Sequence, residues 1–399
     1  MNVLVTNSAH FVITSDGTLW TADAATRYSI WTRYLDVFNE VHLLVRVKFC
    51  GEPPKAWVKA SGYGVKPIPI PDFVGPSWEY VKNYVSIKRA ISKAIANAEA
   101  IQLHVPCIIA GEAWNSMPSR RPYFVEVIAD PYDDYAPGSI KHPLQPLFRW
   151  WFTRQLQRQC QQASAALYVT KQALQRRYPC PKYSVGVSDV ELLEGTLVSK
   201  PRPIQQEKRT FKLIIVGSLA QLYKAPDVLI EAVSICVKEG LDLKLIFVGD
   251  GRYRAELEAK SVALGLGDRV LFRGQLPTSE AVREQLDQCD LFLLPSRMEG
   301  LPRAMVEAMA RSLPCIGSTV GGIPELLPAE DMVTAGDAVA LAHKIREVVT
   351  NPERMALMSA RNLNKAKEYK REVLKEQQVA FYRYARENTQ EWLKAAKLF

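Results

Sequence analysis

Residues Pro295 to Ala310 read PSRMEGLPRAMVEAMA and set two glutamates, Glu299 and Glu307, on either side of Gly-Leu-Pro. Two carboxylates this close could act as an acid and base pair across one glycosidic bond. The residues between them favour a different use. Gly300 lets backbone approach a ligand closely, and Pro302 suits the first position of a helix. The N–H groups of Leu301, Arg303 and Ala304 then open a helix N-terminus, which is a ready site for phosphate. Glu307 falls about one and a half turns into that helix, where a carboxylate can accept two hydrogen bonds from a vicinal diol such as ribose. Glu299, ahead of the helix, is placed to meet what lies beyond the phosphates. Ribose, diphosphate and sugar in that order make a nucleotide sugar.

The elements that must hold this loop are legible from Thr210 onward. FKLIIVG, LKLIFVGDG, RVLFRG, DLFLLPS and PCIGSTV are apolar runs, separated by segments of helical spacing such as PDVLIEAVSICVKEG and YRAELEAKSVALGLG. Continuously apolar strands between helices imply a parallel sheet covered on both faces, a doubly wound α/β domain. PELLP is read as part of the same alternation. The N-terminal half repeats the logic less cleanly. Its candidate strands are NVLVTN, VHLLVRV, AIQLHV, YFVEVIA, AALYVT and YSVGV, with helices at 28–38, 79–97, 144–164 and 171–178. A polar stretch over 198–210 reads as the linker. The expected organisation is an N-terminal Rossmann-like acceptor-binding domain over 1–197, a C-terminal nucleotide-sugar domain over 211–375, and a terminal helix over 376–399 packing back toward the N-terminal domain. Ligands bind at the carboxyl ends of such sheets, so the two domains are expected to face each other across a cleft.

Composition bounds the class. The chain has 399 residues, 48% of them hydrophobic and 23% charged, which suits a folded two-domain protein. Its start lacks the basic and apolar regions of a signal peptide, and no apolar run approaches the ~18 residues that span a bilayer. Seven scattered cysteines, with no CxxC pair, fit reduced thiols in a cytoplasmic protein. The net charge of +9 is concentrated between Tyr135 and Ser188, which holds no Asp or Glu but eight bases: Lys141, Arg149, Arg154, Arg158, Lys171, Arg176, Arg177 and Lys182. Aromatics interleave with arginines in LFRWWFTRQLQRQC, the pattern of a face for an anionic membrane surface. A solvated helix with its tryptophans on the core is the plainer reading. No nucleic-acid motif accompanies the charge, so no nucleic-acid partner is expected.

The motif Glu299 to Ala310, E-G-L-P-x-x-x-x-E-A-M-A, followed by P-x-I-x-x-x-x-G-G-x-x-E from Pro314 to Glu325, resembles the signature of retaining glycosyltransferase family 4, of bacterial exopolysaccharide or glycolipid type. The resemblance covers about 210–345 and thins in the N-terminal half. It implies the GT-B fold, two Rossmann-like doubly wound parallel-sheet domains. It further implies that Glu307 binds ribose and Glu299 the sugar hydroxyls. Gly300 and Leu301 would present backbone to the diphosphate or sugar, and Lys224 would neutralise the diphosphate. Gly217 and Ser218 would line the phosphate site, Arg273 would meet the base through its backbone, and Gly17 would face the donor from the N-terminal domain. Two departures stand out. Ser218 occupies a position that in the family is usually Arg, leaving Lys224 alone unless Arg303 or Arg252 compensates. Asp130 stands near where many members carry a catalytic-site His, although it could equally cap the turn before Pro131. His104, alternating with apolar neighbours, reads as a core or cleft-edge histidine.

The resemblance implies a retaining transfer in which the departing diphosphate takes the acceptor's proton, with charge stabilised by Lys224 and the helix N-terminus and without metal or cofactor. The expected donor is UDP-glucose, with UDP and glucose chosen only as the commonest options. The expected acceptor is a saccharide or lipid-linked saccharide in polysaccharide biosynthesis, and the expected place is the cytoplasm, with peripheral attachment to the inner face of the membrane. A glycoside hydrolase or phosphorylase using the two glutamates, and a non-catalytic membrane-adsorbing protein, are the competing readings. A dinucleotide oxidoreductase is disfavoured because no G-x-G-x-x-G follows either domain's first strand.

Overall fold

The structure is a computed structural model that describes every residue except 24–25, 56, 74, 76–77, 137–141, 204–209 and 397–399. Lys141 of the basic stretch, and residues 204–209 of the 198–210 connection, lie outside the described residues. The chain forms two compact units. The first takes Met1–Tyr132, Pro146–Val187 and the chain from Lys375 on; the second takes Asp133–Gln145 and Ser188–Leu374.

The strands of the first unit are β1 (Asn2–Ile13), β2 (Leu19–Thr21), β3 (Glu40–Phe49), β4 (Val58–Lys59), β5 (Val65–Pro71), β6 (Ala100–Val105), β7 (Phe124–Val127), β8 (Ala165–Tyr168) and β9 (Tyr183–Gly186). Seven run parallel in the order β5-β3-β1-β6-β7-β8-β9, while β2 pairs antiparallel with the far end of β1 and β4 with β2. The predicted strands are present, and β1 is twice the expected length. The predicted helices appear as Tyr28–Leu35, Trp78–Asn97, Gln145–Gln162 and the short Ala173–Arg177. Every residue of β6, β7 and β8 is buried, as a sheet covered on both faces requires. Side chains alternate across the sheet. Ile101, Leu103 and Val105 join a core with helices Trp78–Asn97, Ile108–Asn115 and Gln145–Gln162. His104 faces the other way, toward Trp31 and Tyr34.

The second unit has six strands: β10 (Phe211–Val216), β11 (Leu243–Val248), β12 (Val270–Phe272), β13 (Leu291–Leu294), β14 (Cys315–Ser318) and β15 (Met332–Val333). All are parallel, in the order β12-β11-β10-β13-β14-β15. The order reverses between β10 and β13, and the crevice beyond the carboxyl ends of strands at such a switch is where ligands bind. PELLP is an exception to the alternation: Ile323–Glu325 is a single 3₁₀ turn. The described part of the connection lies on this unit. Val198 N donates to Ala310 O, and Arg202 donates to Leu286 O, Cys289 O and Arg311 O.

Candidate donor site at the switch point of the second unit

The loops after β10 and β13 flank the switch, and each delivers one charged side chain to it. Gly217 ends β10, and a Cβ there would sit 2.3 Å from Lys224 Cδ, so only glycine leaves room for the lysine to fold back over the strand end. Ala225, next to Lys224, is held left-handed at φ 51°, a conformation that costs a non-glycine residue about 1–2 kcal/mol. It turns the chain into the helix Pro226–Lys238, which has proline in its first turn. Lys224 Nζ then lies 2.9 Å from Glu299 Oε1, with both side chains largely buried. Ser296 Oγ donates to the same oxygen at 2.7 Å. Glu299 Oε2 accepts no hydrogen bond among the described residues, which leaves it available as an acceptor.

The Glu-Gly-Leu-Pro loop is fixed from below by a second glycine pair. Gly322 N donates to Gly300 O at 2.8 Å. Gly321 has φ +53°, and a Cβ on it would fall 1.8 Å from Glu299 O. The second half of the motif therefore acts as a floor for the first. A Cβ at Gly300 would meet nothing within 4 Å, so this face of the loop is open. The helix Arg303–Ala310 starts one residue later than the sequence suggests: Pro302 is its N-cap, with φ −75° and ψ 106°, and no side chain caps it. Proline's fixed φ suits either position, and here it accepts the first two helical hydrogen bonds, from Met305 N and Val306 N, through its carbonyl. Glu307 is half-buried on this helix and its carboxylate accepts no hydrogen bond among the described residues. Burial pushes its pKa up, and Arg303 and Arg283 only partly offset that.

Two further features support these loops. Arg297 donates both Nη groups to Asp227 at 2.8 and 2.7 Å, and also reaches Leu222 O; its backbone N bonds Tyr223 O at 2.7 Å. This fork ties the Lys224 loop to the Glu299 loop. Burial alone would raise the Asp227 carboxyl, but the Arg297 guanidinium outweighs it and holds the pKa low. No local pattern betrays a pair separated by 70 residues. The second feature is VGDG, a weak signal by itself. A Cβ at Gly249 would strike Gly217 O at 2.0 Å, and one at Gly251 would strike Ala220 N at 2.1 Å. These glycines let the β10 loop rest directly on the turn after β11.

The other expected residues have varied settings. Ser218 is exposed, and its hydroxyl accepts Ala220 N at 3.1 Å. Arg273 is exposed, and its backbone N–H is committed to Phe247 O at 2.9 Å, which leaves only its carbonyl for a base. Leu301 packs against the unit's core, and Arg303 and Arg252 are exposed. In the first unit, Gly17 sits at φ +80° in the β1–β2 turn, where Asp16 accepts Thr14 and Thr18 and its pKa falls to about 2. Asp130 Oδ1 accepts Tyr132 N at 3.0 Å and Tyr178 OH, and its other oxygen pairs with Arg177. His104 is buried, with Nε2 2.9 Å from Tyr34 OH and 3.1 Å from Glu126 Oε2; Arg33 closes the cluster onto Glu126 at 2.6 Å. Burial alone would raise the Glu126 carboxyl, but Arg33 and His104 hold it well below the usual carboxylate range.

Comparison with known proteins bears on this geometry. Residues 199–371 match the family described as glycosyl transferases group 1. Protein CapJ of Staphylococcus aureus is 28% identical over 82% of this chain and 81% of its own length. A putative colanic acid biosynthesis glycosyltransferase, WcaL of Escherichia coli, is 33% identical, but over only 42% of each chain. A crystal structure of Anabaena HepE in complex with UDP and glucose shares the fold, with TM-score 0.62 and 18% identity, covering 95% of this chain and 98% of that one. The second unit therefore carries a glycosyltransferase group 1 domain, and the chain has the GT-B fold.

Proposed function

We propose that the protein is a retaining hexosyltransferase that uses a UDP-sugar, UDP-glucose first among them, to extend a saccharide or lipid-linked saccharide in polysaccharide biosynthesis. The observation that carries this reading is the Lys224–Glu299 pair at the switch point, with the open Gly300 face and the unsatisfied Glu307 carboxylate on the adjoining helix. A cation beside a helix N-terminus suits a diphosphate, and Glu307 suits the ribose diol. The free Glu299 Oε2 suits a sugar hydroxyl. The relative named for colanic acid biosynthesis and the neighbour in complex with UDP and glucose support the substrate class.

In this transfer the bond from the anomeric carbon to the diphosphate oxygen breaks, and a bond to the acceptor oxygen forms on the same face. The acceptor's hydroxyl proton passes to the departing diphosphate. Lys224 and the first N–H groups of Arg303–Ala310 stabilise the charge that accumulates on the leaving group, without a metal ion. Asp130, already bonded to Arg177 and Tyr178, would act by orienting groups around it. A hydrolase built on the two glutamates fits less well, because Glu299 is neutralised by Lys224 instead of standing free as an acid or base. The test follows hydrolytic release from UDP-glucose, UDP-galactose, UDP-N-acetylglucosamine, GDP-mannose and ADP-glucose, with and without EDTA. Release from UDP-glucose that survives EDTA and is lost in Glu307→Ala is expected. Release from another donor alone would replace the sugar or nucleotide, and EDTA sensitivity would remove the metal-free step.

A further inference from the structure

The first unit carries a surface that the transferase reading does not use. Helix Trp78–Asn97 follows β5 and helix Gln145–Gln162 follows β7. In a parallel sheet both connections leave at the strands' carboxyl ends, so the first turns of both helices lie along one edge of the sheet. They also share one layer. Ile87, Ile91 and Ile95 of the first helix, and Leu156 and Cys160 of the second, enter the same core cluster, with Ile109 and Ala110 of the short helix between them.

Their outward faces are alike. The first helix exposes Trp78 by 78%, Val81 by 59% and Val85 by 67%; the second exposes Leu147 by 51%, Trp150 by 56% and Trp151 by 57%. Lys82 sits among them, and farther along the exposed residues turn basic: Lys88, Arg89 and Lys93 on one helix, Arg154 and Arg158 on the other. None of these six pairs with an acid among the described residues, and Glu79 is the single acid on either helix. The composition of the 135–188 stretch points to the second helix alone; the fold sets a matching helix in the same layer.

We propose that this face seats the protein on a membrane bearing anionic lipid, with the tryptophans and aliphatic side chains at the headgroup boundary and the six bases against lipid phosphates. A second copy of the chain is a poor occupant. A two-fold interface sets the same patch against itself, which would bring bases against bases with almost no acids to meet them.

The test floats the full-length chain with vesicles of phosphatidylcholine alone, or with 30% phosphatidylglycerol, in 50 and 500 mM NaCl. Binding to the anionic vesicles in low salt is expected, at least tenfold weaker on neutral vesicles or in high salt. Arg154→Gln with Arg158→Gln should weaken it about fivefold per charge. Trp78→Ala with Trp150→Ala and Trp151→Ala should abolish the fluorescence quenching that brominated lipid causes in the wild type. Absence of binding, equal binding to both vesicle types, or unchanged binding by these variants would overturn the proposal. So would a solution dimer that Trp150→Ala with Trp151→Ala dissolves. Release from soluble donor, measured on the same samples, keeps this outcome separate from the transferase reading: these variants should turn over donor as the wild type does.

Discussion

In the proposed reaction Lys224 has two partners to serve: Glu299 in the free protein and the diphosphate when donor is bound. It folds over Gly217, and on the proposed mechanism this puts one positive charge where the leaving group develops negative charge. Removing a comparable preorganised contact costs about 2.7–4 kcal/mol. Lys224→Ala should therefore lower turnover about 10²–10³-fold, and a variant keeping more than half of wild-type kcat would remove Lys224 from the mechanism. Glu307 makes a different argument, through proton linkage. A carboxyl whose native pKa lies above its unfolded value holds its proton more tightly when folded. The stability it costs is thus complete above the native pKa and absent below the unfolded one. Glu307→Gln removes that ionisation, so its melting temperature should exceed the wild type's at pH 7.5 and converge with it as the solution is acidified. Its UDP affinity should fall about 10–100-fold, the loss expected for hydrogen bonds to a charged group. A melting gain that is the same at pH 7.5 and in acid would show that burial of the charge is not its source.

At the scale of elements, the site depends on loops that lean on one another. Gly321 supports the Glu299 loop with no room for a methyl group and with a backbone that favours glycine. Gly321→Ala should push Glu299 away from Lys224, lowering both kcat and the melting temperature. A misplacement of about 1 Å suffices for a ~10²-fold loss, and normal kinetics in this variant would mean that the loop tolerates the shift. Much of this arrangement was legible in advance. Apolar runs such as DLFLLPS announced their strands because parallel strands are buried on both faces, and E-G-L-P marked the loop that meets β14's following turn. What stayed hidden has physical reasons. β5 reads VKPIPIP, and proline argues against a strand. Yet among the described strands β5 pairs with β3 alone, and Pro67, Pro69 and Pro71 alternate so that their missing N–H groups all face away from β3. The Arg297–Asp227 fork and the Arg33–Glu126–His104 cluster are contacts between distant segments, which no local periodicity encodes. Pro302 shows the smaller limit, a helix boundary displaced by one residue.

At the scale of the whole chain, sequence order and spatial unit part company at Lys375. The helix Arg371–Ala396 begins on the second unit, where Leu192 N bonds Tyr369 O and Arg371 N bonds Leu192 O. From Lys375 on it belongs to the first unit. There Tyr382 packs on Tyr34 with ring centroids 4.4 Å apart, and Phe381 stacks on Tyr183 at 6.2 Å. Arg386 donates to Val37 O at 2.7 Å. Phe381 and Tyr382 are fully buried, and deleting one such aromatic side chain costs about 3–5 kcal/mol. Losing both approaches the whole stability of an ordinary domain, about 5–15 kcal/mol. A chain ending at Leu374 should therefore show, by calorimetry, a first-unit transition lowered by about 15–30 °C or absent, while the second unit's transition stays in place. Because Lys224, Glu299 and Glu307 all lie in the second unit, the shortened chain should still bind UDP in a calorimetric titration while losing transfer to any acceptor. Equal lowering of both transitions would show that the two units unfold as one. Loss of UDP binding with the second transition intact would show that the donor site draws on the first unit.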